Sequence, residues 1–326
     1  MLIGDFHFGK VVALAPMAGI TDKPFRKVCL ANGADYAIGE MLTAQTRLWS
    51  SPKSASRLIF DVQESPKIVQ IAGAEPALLS EAAASLESRG VDIIDINLGC
   101  PAKKVCGKFA GAALLEKPEK VFEIVRAVAS AVTVPVTIKM RTGPEPSTRN
   151  GVEIAGLVQE AGAQAISVHG RTRACRFLGT AEYQTIAEIK QAVDIPVLAN
   201  GDITTVADAL MVLEKTEADG LLIGRGAIGN PWIFAEIKAA LRGDRRHAPS
   251  ATQILKLFRF QLAEMHNFYG PVKGPKIARK HAKNYLSRLS ISGSLAKRFN
   301  DLGSGEHQLS FVDEMLGGSI SKAAIW

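Results

Sequence analysis

Cysteine is scarce in this chain and forms no pattern. Cys29, Cys100, Cys106 and Cys175 make neither a C-x-x-C pair nor a dense framework. A disulfide scaffold is therefore excluded, no metal site is expected, and a reducing cytoplasm is the predicted setting. Long apolar runs are missing too: none approaches the ~18 residues that a membrane span needs. Asp5, His7 and Lys10 precede only the short run 11–15, a poor secretory signal. A third absence is of acid, because residues 273–298 contain no Asp or Glu.

What is present sets the scale. Of 326 residues, 47% are hydrophobic, enough for a large core, and the length predicts one large domain with a smaller one. The net charge of +7 is unevenly spread. Residues 251–326 carry 11 Lys and Arg against 5 Asp and Glu, whereas residues 1–250 carry 28 against 27. The basic character belongs to the C-terminal region.

Eight short β-type runs recur at 11–15, 36–40, 67–71, 93–97, 134–139, 165–169, 196–200 and 220–224. Stretches of helical period rich in Ala and Glu separate most of them, as at 77–88, 119–131 and 181–193. Gly33, Gly90 and Gly162 each close a helix ahead of an even-numbered run, while Pro135 and Pro196 stand near the start of the fifth and seventh. Eight such units predict an α/β fold, a (β/α)8 TIM barrel, over a doubly wound open sheet. After Gly243 the strand pattern stops. Residues 251–268 and 275–300 read as helices around a loop at 269–275 that holds two prolines. The expected organisation is a barrel over 1–243 and an all-helical C-terminal domain over 244–326.

In such a barrel the C-terminal strand ends face the active site. Here they read Pro16-Met17-Ala18-Gly19, Glu40, Gln70, Asn97-Leu98-Gly99-Cys100, Lys139-Met140-Arg141, His169-Gly170-Arg171, Asn200-Gly201-Asp202 and Gly224-Arg225-Gly226. A solvated strand exit accounts for any one of these, but not for all eight. The loops after the seventh and eighth strands offer glycine backbone and one guanidinium, a phosphate anchor. Residues 224–229 also match G-x-G-x-x-G, yet no further strand or acidic ribose ligand follows, so a dinucleotide fingerprint is not expected there.

A phosphate anchor facing Gln70 and Lys139 suits flavin mononucleotide. The amide can pair with the polar ring edge, and the ammonium can stabilise charge on the reduced ring. A Schiff-base role for Lys139 is the alternative. Cys100, on a turn before Pro101, has three readings: an inert structural thiol, an activated nucleophile, or a general acid kept protonated at neutral pH. Lys103 and Lys104 favour thiolate only if they point inward. Cys29, Cys106 and Cys175 are assigned structural places.

Segments 15–22, 97–105, 111–115, 169–173, 199–202 and 223–225, with Asn97-x-Gly99-Cys100-Pro101 and His169-Gly170-Arg171-Thr172 at their centre, resemble the tRNA-dihydrouridine synthases. The likeness is greatest to the bacterial B type and extends to about residue 300. It implies an FMN-binding barrel with a helical tRNA-binding domain, reducing uridine in the tRNA D-loop with NADPH. By the same resemblance, Pro16, Met17, Ala18, Gln70, Lys139 and His169 surround the flavin ring. Asn200, Gly201, Asp202, Gly224 and Arg225 hold its phosphate end. Cys100 is the proton donor, and Asn97 and Arg171 contact the substrate. Residues 303–326 show no clear match.

The tail fits that partner. Lys276, Arg279, Lys280 and Lys283 share one helical face at three- and four-residue spacing, and a one-signed face favours nucleic acid over plain solvation. A cytoplasmic monomer is expected. The rivals are a flavin barrel acting on a free pyrimidine, such as a dihydroorotate-type dehydrogenase, and a catalytically silent RNA-binding protein.

Overall fold

The computed structural model describes residues 1–318 except Lys108, Arg245 and Ser292. The last stretch of the expected helical domain, 319–326, lies outside the described residues. The strands are β1 (Leu2–Ile3), β2 (Phe6–His7), β3 (Val11–Leu14), β4 (Leu42–Thr43), β5 (Ile68–Ala72), β6 (Ile93–Leu98), β7 (Val136–Arg141), β8 (Ala165–His169), β9 (Val197–Asn200) and β10 (Gly220–Ile223). β1 and β2 form an antiparallel hairpin, and the other eight run parallel in the order β3-β10-β9-β8-β7-β6-β5-β4. Parallel bridges Leu14–Ala37 and Ile38–Ile68 close the sheet on itself. Closure rules out the open sheet and makes this a (β/α)8 barrel with a helical C-terminal region.

The second predicted run, 36–40, differs from expectation. It contributes those two bridges, while regular pairing moves on to β4 against β5. Gly39 marks the reason: a Cβ there would lie 3.3 Å from a guanidinium nitrogen of buried Arg26, so the backbone passes close to that side chain instead of continuing the ladder.

Strand alternation sorts the side chains. Val12 and Leu14 face the surrounding helices, whereas Val11, Ala13, Ile68, Ile93, Ala165, Leu198 and Leu222 fill the barrel's lower interior. Met1, Phe6 and Phe8 of the hairpin region pack against that floor. Higher up, the inward positions turn polar and remain buried: Gln70, Asp95, Asn97, Thr137, Lys139, Ser167 and Asn200. Gly33, Gly90 and Gly162 adopt φ of +100°, +75° and +105°, the left-handed helix exits expected of them.

Among the described residues, helices 23–31, 76–87, 118–131, 151–160, 184–192, 206–216 and 233–241 wrap the barrel. Between β4 and β5 only the four-residue helix Pro52–Ala55 and 3-10 turns appear, as suits a segment without helical apolar period. No helix among the described residues is long and apolar enough to cross a membrane.

Beyond residue 250 three helical stretches, Ala251–Arg288, Gly293–Asp301 and Gly305–Leu316, build an apolar cluster of their own around Phe258, Tyr285, Phe299 and Phe311. The first opens on a capping box between Ser250 and Gln253. The expected loop at 269–275 is instead a sharp kink. Gly270 alone leaves helical geometry (φ 77°, ψ 175°), and Pro271 starts the next segment, where its missing N–H costs nothing. Tyr269 Oη donates to Asp22 Oδ2 at 2.8 Å, Lys27 pairs with Glu264 at 2.9 Å, and the His281 ring packs on Phe25. These contacts seat the helices against the loop after β3 and the helix 23–31 that follows it.

Candidate active site

The upper barrel opens into a cavity of about 1100 Å³. Pro16, Met17, Ala18, Gln70, Asn97, Cys100, Lys139, His169, Asn200, Gly201, Asp202, Gly224 and Arg225 all line it. The structure therefore brings together in one space residues that the sequence proposed separately from seven of the eight strand ends; Glu40, from the remaining one, lies outside the lining and accepts from Gly19 N and Arg57.

The cavity floor is a continuous hydrogen-bonded tier set by strand register. Gln70 stands beside Asp95, Asp95 beside Thr137, and Asn97 beside Lys139. Thr137 Oγ1 and Gln70 Nε2 each donate to Asp95 at 2.7 Å. Asn97 Nδ2 donates to Gln70 Oε1 at 2.7 Å, and its Oδ1 accepts from Cys100 N at 2.9 Å and Gly99 N at 3.2 Å. Asn97 thus spends its carbonyl bracing the turn that carries the thiol. Asp95 and Thr137 were not singled out from the sequence, although they lie two residues before Asn97 and Lys139 on the same strand face. The period of two was the available signal.

Burial and neighbouring charge set the protonation states. Burial raises Asp95 to about 6 against the hydrogen bonds from Gln70 and Thr137 and the charge of Lys139. Burial and then Arg141 lower Lys139 to about 8. Its ammonium donates to Asn200 Oδ1 at 3.1 Å, and Asn200 in turn donates to the Leu222 carbonyl. With only that hydrogen-bond partner among the described residues, Lys139 has donors to spare for a ligand. Burial, reinforced by Lys139, Arg141, Arg171 and Arg225, pushes His169 far below its usual range, so the ring is neutral. Arg171 Nη1 lies 3.3 Å from His169 Nε2. A guanidinium can only donate, so Nε2 accepts and the ring proton sits on Nδ1.

Burial raises Cys100 as well, against the Ala102 backbone and the Arg141 charge. Lys103 and Lys104 are exposed. The thiol is protonated at neutral pH, and the activated-nucleophile reading loses its basis. Arg141, only 1% exposed, completes the turn: its Nε donates to Gly99 O at 2.7 Å and its Nη1 to Thr172 O and Arg176 O. Cys29 is buried in the outer core, Cys106 Sγ lies 3.3 Å from Cys100 O, and Cys175 Sγ accepts from Thr172.

At the opposite wall Asp202 is a hub. Arg171 grips both its oxygens at 2.9 and 2.6 Å, Ala181 N donates at 2.8 Å, and Arg225 donates at 3.1 Å. Burial alone would raise Asp202, but Arg171, Ala181 and Arg225 hold it lower. Arg171, expected at the substrate, is 3% exposed, outside the cavity lining, and also bound to the Leu178 and Gly179 carbonyls. Its position makes it a clamp on Asp202, because every edge of the guanidinium is engaged. Gly226 lets the two anchor loops meet: a Cβ there would sit 2.2 Å from the Ile203 carbonyl.

The tail helix approaches from the β3 side. Lys280 Nζ donates to Gly19 O at 3.3 Å, and Gly19 N donates to Glu40, which Arg57 also contacts. The wall formed by 16–20 is therefore held by the second barrel unit and by the tail together. Lys276, Lys280 and Lys283 are exposed, whereas Arg279 is half-buried and turns to the Leu302 carbonyl at 3.1 Å. The expected four-residue face thus carries three exposed cations. The packing of the last helices, invisible to helical spacing, draws Arg279 inward.

A family model described as Dihydrouridine synthase matches residues 13–320. A tRNA-dihydrouridine synthase B of Pseudomonas aeruginosa is 50% identical over 311 residues, 95% of this chain and 94% of the relative. One from Vibrio cholerae is 43% identical over 314 residues, 96% and 98% of the two chains. Among solved structures, a histamine dehydrogenase from Rhizobium sp. 4-9 superposes with a TM-score of 0.55 at 15% identity, over 81% of this chain. The chain spans 50% of that structure's length, and the likeness is one of fold.

Proposed function

The chain belongs to the dihydrouridine synthase family, and from that premise we propose that it reduces uridine to 5,6-dihydrouridine in the D-loop of tRNA, holding FMN in the barrel cavity and using NADPH as reductant. The observation that carries the reading is the thiol of Cys100 on a braced turn above a cavity whose floor holds the enclosed ammonium of Lys139.

The residues present fit a flavin mononucleotide. Lys139 has unused donors beneath the space for a ring, and Gln70 lies on the same floor. Gly201, Gly224 and Gly226 line the same cavity as Lys139, and Arg225 adds charge beside them. When bound, the flavin supplies hydride, accepted from NADPH and delivered to uracil C6.

Every other step belongs to the chain. Pro16, Met17 and Ala18 would wall the ring, and Lys139 would stabilise the negative charge that reduction places on it. His169, neutral and oriented by Arg171, contributes a fixed dipole to the pocket. Cys100 donates its proton to uracil C5, which balances the hydride at C6 and saturates the bond. A raised thiol suits that task, since the proton must still be present when substrate arrives. Asn97 and Arg141 hold the turn so that the sulfur faces the cavity.

A stacked uridine cannot reach this depth and must leave its helix, at a cost of a few kcal/mol. The exposed Lys276, Lys280 and Lys283, with Arg279 behind them, would meet the RNA backbone and offset that cost. The setting that goes with this substrate is the cytoplasm. The test is a map of dihydrouridine in tRNA from cells lacking the protein: one or more D-loop positions should revert to uridine, and an unchanged map overturns the assignment.

A further inference from the structure

Opposite the helical tail, two loops form the far lip of the cavity. One follows β6 and the other follows β8. In the cyclic strand order both flank β7, across the barrel from β3, whose loop Lys280 touches. Arg173 bridges them by its ion pair with Glu116, and Arg141 ties Gly99 to Thr172 and Arg176. They therefore act as one rim.

That rim displays large apolar side chains to solvent: Phe109 is 62% exposed and Leu178 is 78% exposed. Lys103, Lys104 and Arg176 belong to the same two loops, all exposed, and none makes an ion pair among the described residues, although Arg173 in the same segment does; the Lys117 ammonium lies 5.0 Å from the centre of the Phe109 ring. Phe109 and Arg176 hold φ of 52° and 50°. Such left-handed geometry is unfavourable for side chains of this size and tends to persist where function over-determines it.

We propose that this rim is a second contact surface for tRNA, gripping the nucleotides that flank the everted uridine. The inference rests on the tRNA reading above and extends it to the barrel's own loops. Unpaired cations attract phosphates, and an exposed ring among them is a stacking platform for a base, a pairing typical of single-stranded nucleic acid contacts. With tail lysines on one side and this lip on the other, the strand would be held at both edges of the cavity while one base descends between them.

The experiment uses the full chain loaded with flavin and unmodified tRNA. Affinity is measured over a series of salt concentrations for Lys104→Ala, Lys104→Arg and Phe109→Ala, with thermal melting to check the fold. Lys104→Ala should make the log–log salt slope shallower by about 0.7–0.9, and Lys104→Arg should restore it. Phe109→Ala should weaken binding about 5-fold or more with the slope unchanged. Affinities within twofold of the unaltered protein, or a Lys104→Ala loss that arginine does not repair, overturn the rim. Should the unaltered protein form no dihydrouridine in any tRNA, the failure lies instead with the reading on which the rim rests.

Discussion

The barrel mouth and the tail helix both carry cations, yet they treat charge in opposite ways. Around the cavity, Arg141 and Arg171 are 1% and 3% exposed and saturated by carbonyls and Asp202, and Lys139 is enclosed. On the tail, Lys276, Lys280 and Lys283 stand in solvent. Among the described residues the ion pairs there belong to others, such as Arg259–Asp313 and Arg298–Glu314. The first arrangement fixes dipoles before a ligand arrives, so little reorganisation remains at the moment of reaction. The second keeps hydrated charges and counterions that a polyanion can displace. Under the proposed function, the first suits chemistry at fixed atoms and the second suits affinity over a broad surface.

The comparison is broken most severely at the thiol. Cys100→Ala should lower dihydrouridine formation about a hundredfold to ten-thousandfold while the protein stays yellow and oxidises NADPH. Normal product from that variant would remove Cys100 from the acid role. Next comes Lys139→Met, expected to slow flavin reduction by about a hundredfold or more. Because burial brings Lys139 down to about 8, the reduction rate of the unaltered enzyme should fall as pH rises through that value. Lys139→Arg should carry the limb to higher pH, and a rate flat from pH 7 to 9 would contradict this account.

On the tail, Lys276→Ala, Lys280→Ala and Lys283→Ala should each flatten the salt dependence of tRNA binding by about 0.7–0.9, without the collapse expected at Cys100. Affinity that ignores salt would cancel the contrast between the regions. Lys280→Ala is the sharpest of the three, since its Gly19 contact also touches the cavity wall.

The smallest effect lies at the seam. Burial raises Asp22 to about 6. A carboxyl raised in the folded state favours folding most below its ordinary value near 3.8, and that benefit is lost as pH rises through about 6. Asp22→Asn should therefore gain on the unaltered protein from pH 4 to 7, by on the order of 1–3 kcal/mol in denaturant unfolding. A constant difference across that range would assign Asp22 an ordinary acidity.

Much of the site was legible because barrels put function at strand ends. Cys100, Lys139, His169 and Asn200 could be proposed from position alone, and all four line the cavity. The polar tier beneath was readable in part: Asp95 and Thr137 share a strand face with Asn97 and Lys139, but only the cross-strand register makes them partners. Arg171 stood beside His169 in sequence and could not be distinguished from a substrate contact until Asp202, from another strand, accepted from both its Nη atoms. Arg279 followed the same course once Leu302 accepted from it.

The sequence by itself determined the number of barrel units, the places where helices stop, the thiol turn and the basic character of the tail. Those features rest on local period, on glycine's freedom at positive φ and on composition, which act within a few residues. Tertiary structure alone decided which cations are consumed and which stay free, that the chain at 36–40 closes the barrel through two bridges, and that a tail lysine reaches the loop at Gly19. Such outcomes depend on groups far apart in the chain, up to 261 residues between Gly19 and Lys280, competing for the same donors and the same space.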